Sequence, residues 1–414
     1  MQQLFVELYN YRDEWTELPF EQRRAFVTAL PAALASLRER GLEILGFGVN
    51  DPATDRRAPY DFFSAYRVPN AELQREFEAA IAASGWYDYF EQVNVSGAAL
   101  SPVGALLRNA ALAPATGQGP PISPVSPYRK HQVTALGRRM AYVDEGRGRP
   151  IVLVHGDVMS SFLWRNVIPH LGPHGRAVAV DLIGAGDSDK LPGSGPGTYR
   201  FGTHVEYFSA FMDQLDLGDD TVLVGHDWGA NVAIEWARRN ARRVAGVAFT
   251  EALLPPFEWD DWPREMHEQF RFLRGPDAEA AILDDNYFVN ASTESMTRML
   301  AAEEWTEIVR PYAEPGEGRR PTYDWPREVP FGDDRTATRE ALEAQAEWLA
   351  AGSVPTLHLA AVPGGIDHIG GRRRDSIARY RNLTRIEING LHWTPEDDPH
   401  GIGKALTTWL PTLP

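Results

Sequence analysis

The chain has 414 residues, 57 acidic against 41 basic, for a formal net charge of −16. That balance argues against a nucleic-acid partner, whose phosphates demand clustered Lys and Arg, and 43% hydrophobic residues exclude a disordered chain. Cysteine is absent, which removes disulfides, thiolate metal sites and cysteine nucleophiles together. No apolar run reaches signal-peptide or membrane-spanning length, so the expectation is a soluble cytoplasmic protein with no membrane partner.

The first domain, 1–97, alternates cleanly. Gln3–Tyr9 reads as a strand, Phe20–Glu39 as a helix with an acidic start, and Ile44–Val49 and Asp61–Arg67 as two strands around Asn50-Asp51-Pro52. Ala71–Ser84 carries amphipathic helical spacing, and Tyr87–Val95 closes with a strand. The order βαββαβ in this length predicts a split-βαβ, ferredoxin-like α+β sheet. By element order and length it is similar to the small dimeric α+β barrel families, which implies a homodimer formed through this domain. The stretch 98–127 follows as a linker, rich in Pro, Gly and Ser from Pro114 to Pro127, with room for one helix over Val103–Leu112.

From 128 to 414 the pattern changes. Val133–Val143 looks like a hairpin, and Pro150–His155 is a continuous apolar run, as expected of a strand buried on both faces. Ala177–Asp181, Thr221–Val224, Val244–Thr250, Thr356–Ala361 and Thr384–Ile388 follow, with helical stretches between, so a doubly wound α/β sheet is predicted. The Trp- and Phe-rich segment at about 255–330 interrupts this rhythm and reads as an inserted helical cap. Its aromatic residues predict an apolar, water-poor pocket for a small hydrophobic substrate.

Strand Thr221–Val224 runs into Gly225-His226-Asp227-Trp228-Gly229 and then the helical Ala230–Arg239. A Gly-x-nucleophile-x-Gly between a buried strand and a helix is the nucleophile elbow of α/β-hydrolases, whose glycines permit the sharp turn. The central residue is Asp227 rather than serine. A carboxylate attacking an sp³ carbon gives an alkyl ester that water must then hydrolyse, which favours alkyl halides or epoxides over ordinary esters.

These motifs together carry a resemblance. His155-Gly156-Asp157 through Trp164-Arg165, Asp181-Leu182-Ile183-Gly184-Ala185-Gly186-Asp187-Ser188, the elbow, Glu251 with Glu258-Trp259-Asp260-Asp261-Trp262-Pro263, and Gly390-Leu391-His392-Trp393 with Glu396-Asp397 closely resemble the haloalkane dehalogenases. The resemblance spans about 128–414 and implies an α/β-hydrolase fold. It also implies cleavage of a carbon–halogen bond in a halogenated alkane, with water consumed, a halide ion released, and neither cofactor nor metal required. It makes Asp227 the nucleophile, His392 the base that activates water, and Glu251 the acid that orients His392. Asp367, after strand Thr356–Ala361, is the rival for that last role. His226 and His155 are read as structural.

Trp228 matches one halide-binding residue of the family. The other is usually an asparagine just after the His-Gly pair, and here it is Asp157. An ionised carboxylate only accepts hydrogen bonds and repels an anion, although its backbone N–H can still join that of Trp228 as an oxyanion hole. Three other readings fit parts of the pattern: an epoxide hydrolase using tyrosines such as Tyr287, Tyr312 or Tyr323, a cofactor-free luciferase-like oxygenase, and a non-catalytic ligand-binding scaffold.

Overall fold

The computed structural model describes residues 2–100, 102, 105–106, 121–262, 264–292, 295–366 and 372–414. The chain forms two compact units, Met1–Ser101 and Pro102–Pro414. The expected helix over Val103–Leu112 lies largely outside the described residues, and residues 114–120 of the linker and Asp367 lie wholly outside them.

In the first unit β1 (Gln3–Tyr11), β2 (Glu43–Val49), β3 (Phe62–Val68) and β4 (Phe90–Ala98) form one sheet in the order β2-β3-β1-β4, every neighbouring pair antiparallel. Alternation along β1 turns Phe5, Glu7 and Tyr9 inward, where Phe5 packs with Tyr66, Leu73 and Phe77. Asn70 caps helix Ala71–Ala83 by accepting from the Leu73 N–H at 2.9 Å. The opposite face pairs Leu8 with Phe63 and Val93, and Val6 with Val95, leaving Phe63, Val93 and Val95 exposed.

Two expectations need correction here, and one element is additional. The single helix over Phe20–Glu39 is two, Phe20–Ala33 and Ala35–Glu39, separated at Leu34. Trp86–Tyr89 is a helical turn opened by Gly85 at φ 79°, so the last strand starts at Phe90 and runs on to Ala98. A short helix at Asp13–Glu17 was not foreseen.

The second unit is built on eight strands: β5 (Lys130–Ala135), β6 (Arg138–Gly146), β7 (Pro150–Val154), β8 (Arg176–Val180), β9 (Thr221–His226), β10 (Val244–Thr250), β11 (Thr356–Pro363) and β12 (Leu383–Gly390). Their order is β12-β11-β10-β9-β7-β8-β6-β5, parallel from β12 to β8, with the β5–β6 hairpin antiparallel at one edge. Strands β7, β9 and β10 are buried along their whole length, as their unbroken apolar runs require. The chain leaves β7 toward β8 and returns on the other side as β9. The carboxyl ends of β7 and β9 therefore flank the crevice where such sheets bind ligands.

Between β10 and β11 lie the cap helices Arg264–Arg274, Ala278–Leu283, Tyr287–Ser292, Ala302–Val309 and Arg320–Arg327. A buried ion network ties this insertion to the sheet layer: Arg165 pairs with Glu396 at 2.6 Å and with Glu304, while Arg298 pairs with Glu304 at 2.7 Å and with Glu396. With two guanidinium groups against two carboxylates the network is neutral, and removing one member would strand a buried charge.

The elbow depends on its glycines. A Cβ on Gly229 would stand 2.1 Å from the His155 carbonyl oxygen, and one on Gly225 would stand 2.3 Å from Ala230 Cα. Both obstacles are backbone, so neither can rotate away. Gly229→Ala should therefore destabilise the second unit by roughly 1–3 kcal/mol or more, seen as a lowered melting temperature in calorimetry; an unchanged melting point would show that the elbow relaxes.

Candidate active site

Asp227 lies between β9 and helix Trp228–Arg239 at φ 52°, ψ −134°, a left-handed conformation costly for a side chain bearing a Cβ. The turn is pinned by the Asp227 N–H donating to the Thr250 carbonyl at 3.1 Å. The carboxylate is thereby lifted off the sheet end, and its two oxygens meet different neighbours. Oδ2 accepts from the backbone N–H of Asp157 at 3.2 Å, and the backbone N–H of Trp228 also bonds the carboxylate. Oδ1 faces His392 Nε2 at 3.9 Å, too far for a direct hydrogen bond. Burial raises the Asp227 pKa, while the nearby imidazole charge and the two N–H donors work in the opposite direction.

His392 follows β12, and its Nδ1 meets Glu251 Oε2 at 3.1 Å. Glu251 follows β10 at φ 55° and is fully buried. Its carboxylate also accepts from the backbone N–H of Gly365 at 3.1 Å and from that of Ile366. The loop after β11, which holds the rival Asp367, thus contributes backbone donors to Glu251. A side chain on Gly365 would lie 2.7 Å from Glu251 Oε2. These loop N–H groups were not foreseen, since backbone donors leave no trace in residue type.

The two histidines read as structural are placed as supports. Burial holds both neutral, lowering His155 to about 4 and His226 well below its ordinary value. His155 accepts from the Leu182 N–H at Nε2, 2.9 Å, and its Nδ1 lies 2.7 Å from the Gly156 carbonyl, tying the β7 and β8 loops together. His226 Nε2–H donates to the His392 carbonyl at 2.8 Å, fixing the backbone of the loop.

Trp228 is 2% exposed and stacks almost parallel on Trp325 of the cap, with centroids 6.0 Å apart. Asp157 is 5% exposed. Its Oδ1 accepts from the Val158 N–H at 2.7 Å, but Oδ2 is buried with no hydrogen-bond partner among the described residues. Burial first, and then the Asp227 charge, push the Asp157 carboxyl well above the usual carboxylate range. Of the tyrosines considered for an epoxide, Tyr312 lies under the Lys190 ammonium, Tyr323 under Arg320 and Arg327, and Tyr287 edge-on to Phe272.

One further acid belongs to this region. Asp397 Oδ2 accepts from the Leu391 N–H at 2.9 Å, one residue before His392, and Oδ1 accepts from the Thr297 N–H of the cap at 2.7 Å. The sequence placed Asp397 within a motif but gave it no role, because its two acceptor bonds join segments far apart in the chain.

The family described as "alpha/beta hydrolase fold" matches residues 149–393, and a family of unknown function, DUF6616, matches residues 2–112. The second unit is therefore an α/β-hydrolase. The chain is 43% identical over 288 residues to a haloalkane dehalogenase of Mycolicibacterium smegmatis, covering 69% of this chain and 92% of that protein. Over 288 residues it is 30% identical to the coelenterazine h 2-monooxygenase of Renilla reniformis, covering 68% and 90%. The crystal structure of the haloalkane dehalogenase DatA from Agrobacterium tumefaciens C58 superposes with a TM-score of 0.64 at 32% identity, over 69% of this chain and 96% of that one. The chain belongs to the haloalkane dehalogenase family.

Burial raises the Asp397 pKa from 3.8 to about 6, against the two N–H bonds that favour the anion. The folded state therefore binds a proton more tightly than the unfolded chain. Stability from this group is full below about pH 4 and declines as pH rises from about 4 to 6, by about 3 kcal/mol in total. Melting curves of the wild type and Asp397→Asn between pH 4 and 7 should differ by that slope. Parallel curves would place the group elsewhere.

Proposed function

We propose that the second unit hydrolyses carbon–halogen bonds of small apolar haloalkanes through an ester on Asp227. The observation that carries this reading is the division of labour on one carboxylate, with Oδ2 accepting from the Asp157 backbone N–H and Oδ1 left facing His392. Oδ1 attacks the carbon bearing the halogen, that carbon's bond to the halogen breaks, and the halide leaves with both electrons. The Trp228 indole N–H and the Asp157 side chain face the departing anion.

His392 then takes a proton from water at Nε2, and the hydroxide attacks the Asp227 carbonyl carbon. The gap of 3.9 Å between Nε2 and Oδ1 suits a water held between base and ester. Charge developing on Oδ2 meets the backbone N–H of Asp157, which already donates to that oxygen, while the Trp228 N–H bonds the same carboxylate. Collapse releases the alcohol and restores the carboxylate, while Glu251 balances the imidazolium and holds its tautomer. Relatives named as haloalkane dehalogenases support this substrate class, and the buried aromatic cap residues Phe257, Trp262, Phe270 and Trp325 supply apolar surroundings.

Two variants separate the half-reactions. Asp227→Asn should lower bromide release from 1-bromobutane by on the order of 10⁴ or more, since an amide is a poor nucleophile. His392→Phe should still release one bromide per site and then stop, leaving the butyl ester on the Asp227 peptide for mass spectrometry. A histidine variant with no adduct and no bromide burst would overturn the mechanism.

A further inference from the structure

His392 follows β12, and β12 is an edge strand of the eight-stranded sheet, paired with β11. A strand inside the sheet is gripped from both sides, as β9 is by β7 and β10 beneath Asp227. A loop leaving an edge strand needs another hold. The imidazole is also the least buried of the three facing groups, its side chain 17% exposed against 7% for Asp227 and 0% for Glu251.

That hold comes from the cap. Trp393, 3% exposed, packs edge-on against the base, its ring centroid 4.8 Å from that of His392. Its indole N–H donates to the Ser292 carbonyl at 2.8 Å, at the end of cap helix Tyr287–Ser292. Its backbone N–H turns to the Ser295 carbonyl at 3.4 Å. A little further along, the Thr297 N–H donates to Asp397, and Arg298 Nε–H donates to the Glu396 carbonyl at 2.8 Å. From the sheet side His226 donates to the His392 carbonyl, and its ring lies 4.9 Å from His392 and 5.0 Å from Trp393. Three rings thus pack in a triangle, with one corner on the nucleophile strand and another tied to the cap.

Asp227 is anchored differently. Its N–H goes to Thr250, its carboxylate takes the N–H groups of Asp157 and Trp228, and among the described residues no hydrogen bond joins it to the cap. Nucleophile and base therefore hang from different parts of the fold.

We propose that Trp393 is a positioning residue for His392: its indole N–H, bonded to the Ser292 carbonyl, holds the base where one water fits between it and Asp227, so the cap governs hydrolysis of the ester rather than its formation. This inference rests on the dehalogenase reading, in which only the second half-reaction uses the base. Proton abstraction from a bridging water needs two short contacts at once, so a shift of about 1 Å in Nε2 costs up to about a hundredfold. A phenylalanine at 393 would keep the ring packing with both histidines and lose the donor.

The test is a single turnover of 1-bromobutane with the full-length protein in excess, quenched in acid, with bromide and 1-butanol followed separately. Trp393→Phe should form bromide within about twofold of the wild-type rate and butanol about tenfold or more slowly. Mass spectrometry of the quenched samples should find the butyl ester on the Asp227 peptide during that lag. A merely structural residue would reduce the number of working sites and lower both products alike, which separates the two roles. Should Trp393→Phe melt too low to assay, Arg298→Lys takes its place. It keeps a positive charge beside Glu304 and Glu396 and removes the Nε–H bond to the Glu396 carbonyl. The same split should appear, about threefold, the scale of one hydrogen bond. Butanol formed at the wild-type rate, or bromide slowed as much as butanol, would overturn the proposal. If His392→Phe traps the ester while Trp393→Phe hydrolyses it normally, the positioning role fails and the hydrolytic reading survives. A wild type that releases no bromide removes both.

Discussion

The strained turn at Asp227 is the constraint on which the second unit depends. A residue with a Cβ is held at positive φ, and only its surroundings can keep it there: the bond from its N–H to Thr250, the glycine at 229 against the His155 carbonyl, and the glycine at 225 against Ala230. Each brings a backbone within reach that a side chain would push away. The result is a carboxylate at the switch point between β7 and β9, with a backbone donor on one oxygen and a base opposite the other. Moving any strand of this set would move the acid and its donors by different amounts.

Around that turn the chain concentrates negative charge. Asp227, Asp157 and Glu251 are each 5% exposed or less, and His392 stands among them as a titratable base. Three acids so close are tolerable because each is handled differently. Glu251 is saturated by backbone N–H donors and the imidazole. Asp227 shares two backbone donors, and Asp157 is pushed toward its protonated form. The arginine–glutamate network beneath the cap is a separate, neutral device. It fastens the cap next to the loop that carries His392, since Glu396 and Asp397 are only four and five residues beyond it.

The first unit follows a different logic. Its sheet buries Glu7 at 3% exposure with no cation paired to it among the described residues, through hydrogen bonds from Ser64, Tyr66 and Gln92, and burial raises that acid as well. Its core is small and lies on the helix side of the sheet, whereas the other face carries valine and phenylalanine into solvent.

The sequence by itself determined much of this. Continuous apolar runs gave β7, β9 and β10, because a parallel strand covered on both faces has no polar side to show. The glycines about Asp227 located the elbow, since a tight turn is a local property of few residues. It also nominated His392 and Glu251, through motif and strand order. Only the tertiary structure showed that the loop beyond β11 lends backbone N–H groups to Glu251, because side-chain types cannot reveal such donors. The same holds for Asp397 and the buried arginines. Each is an ordinary charged residue until folding removes water from it, and what it then does depends on which distant segment arrives beside it.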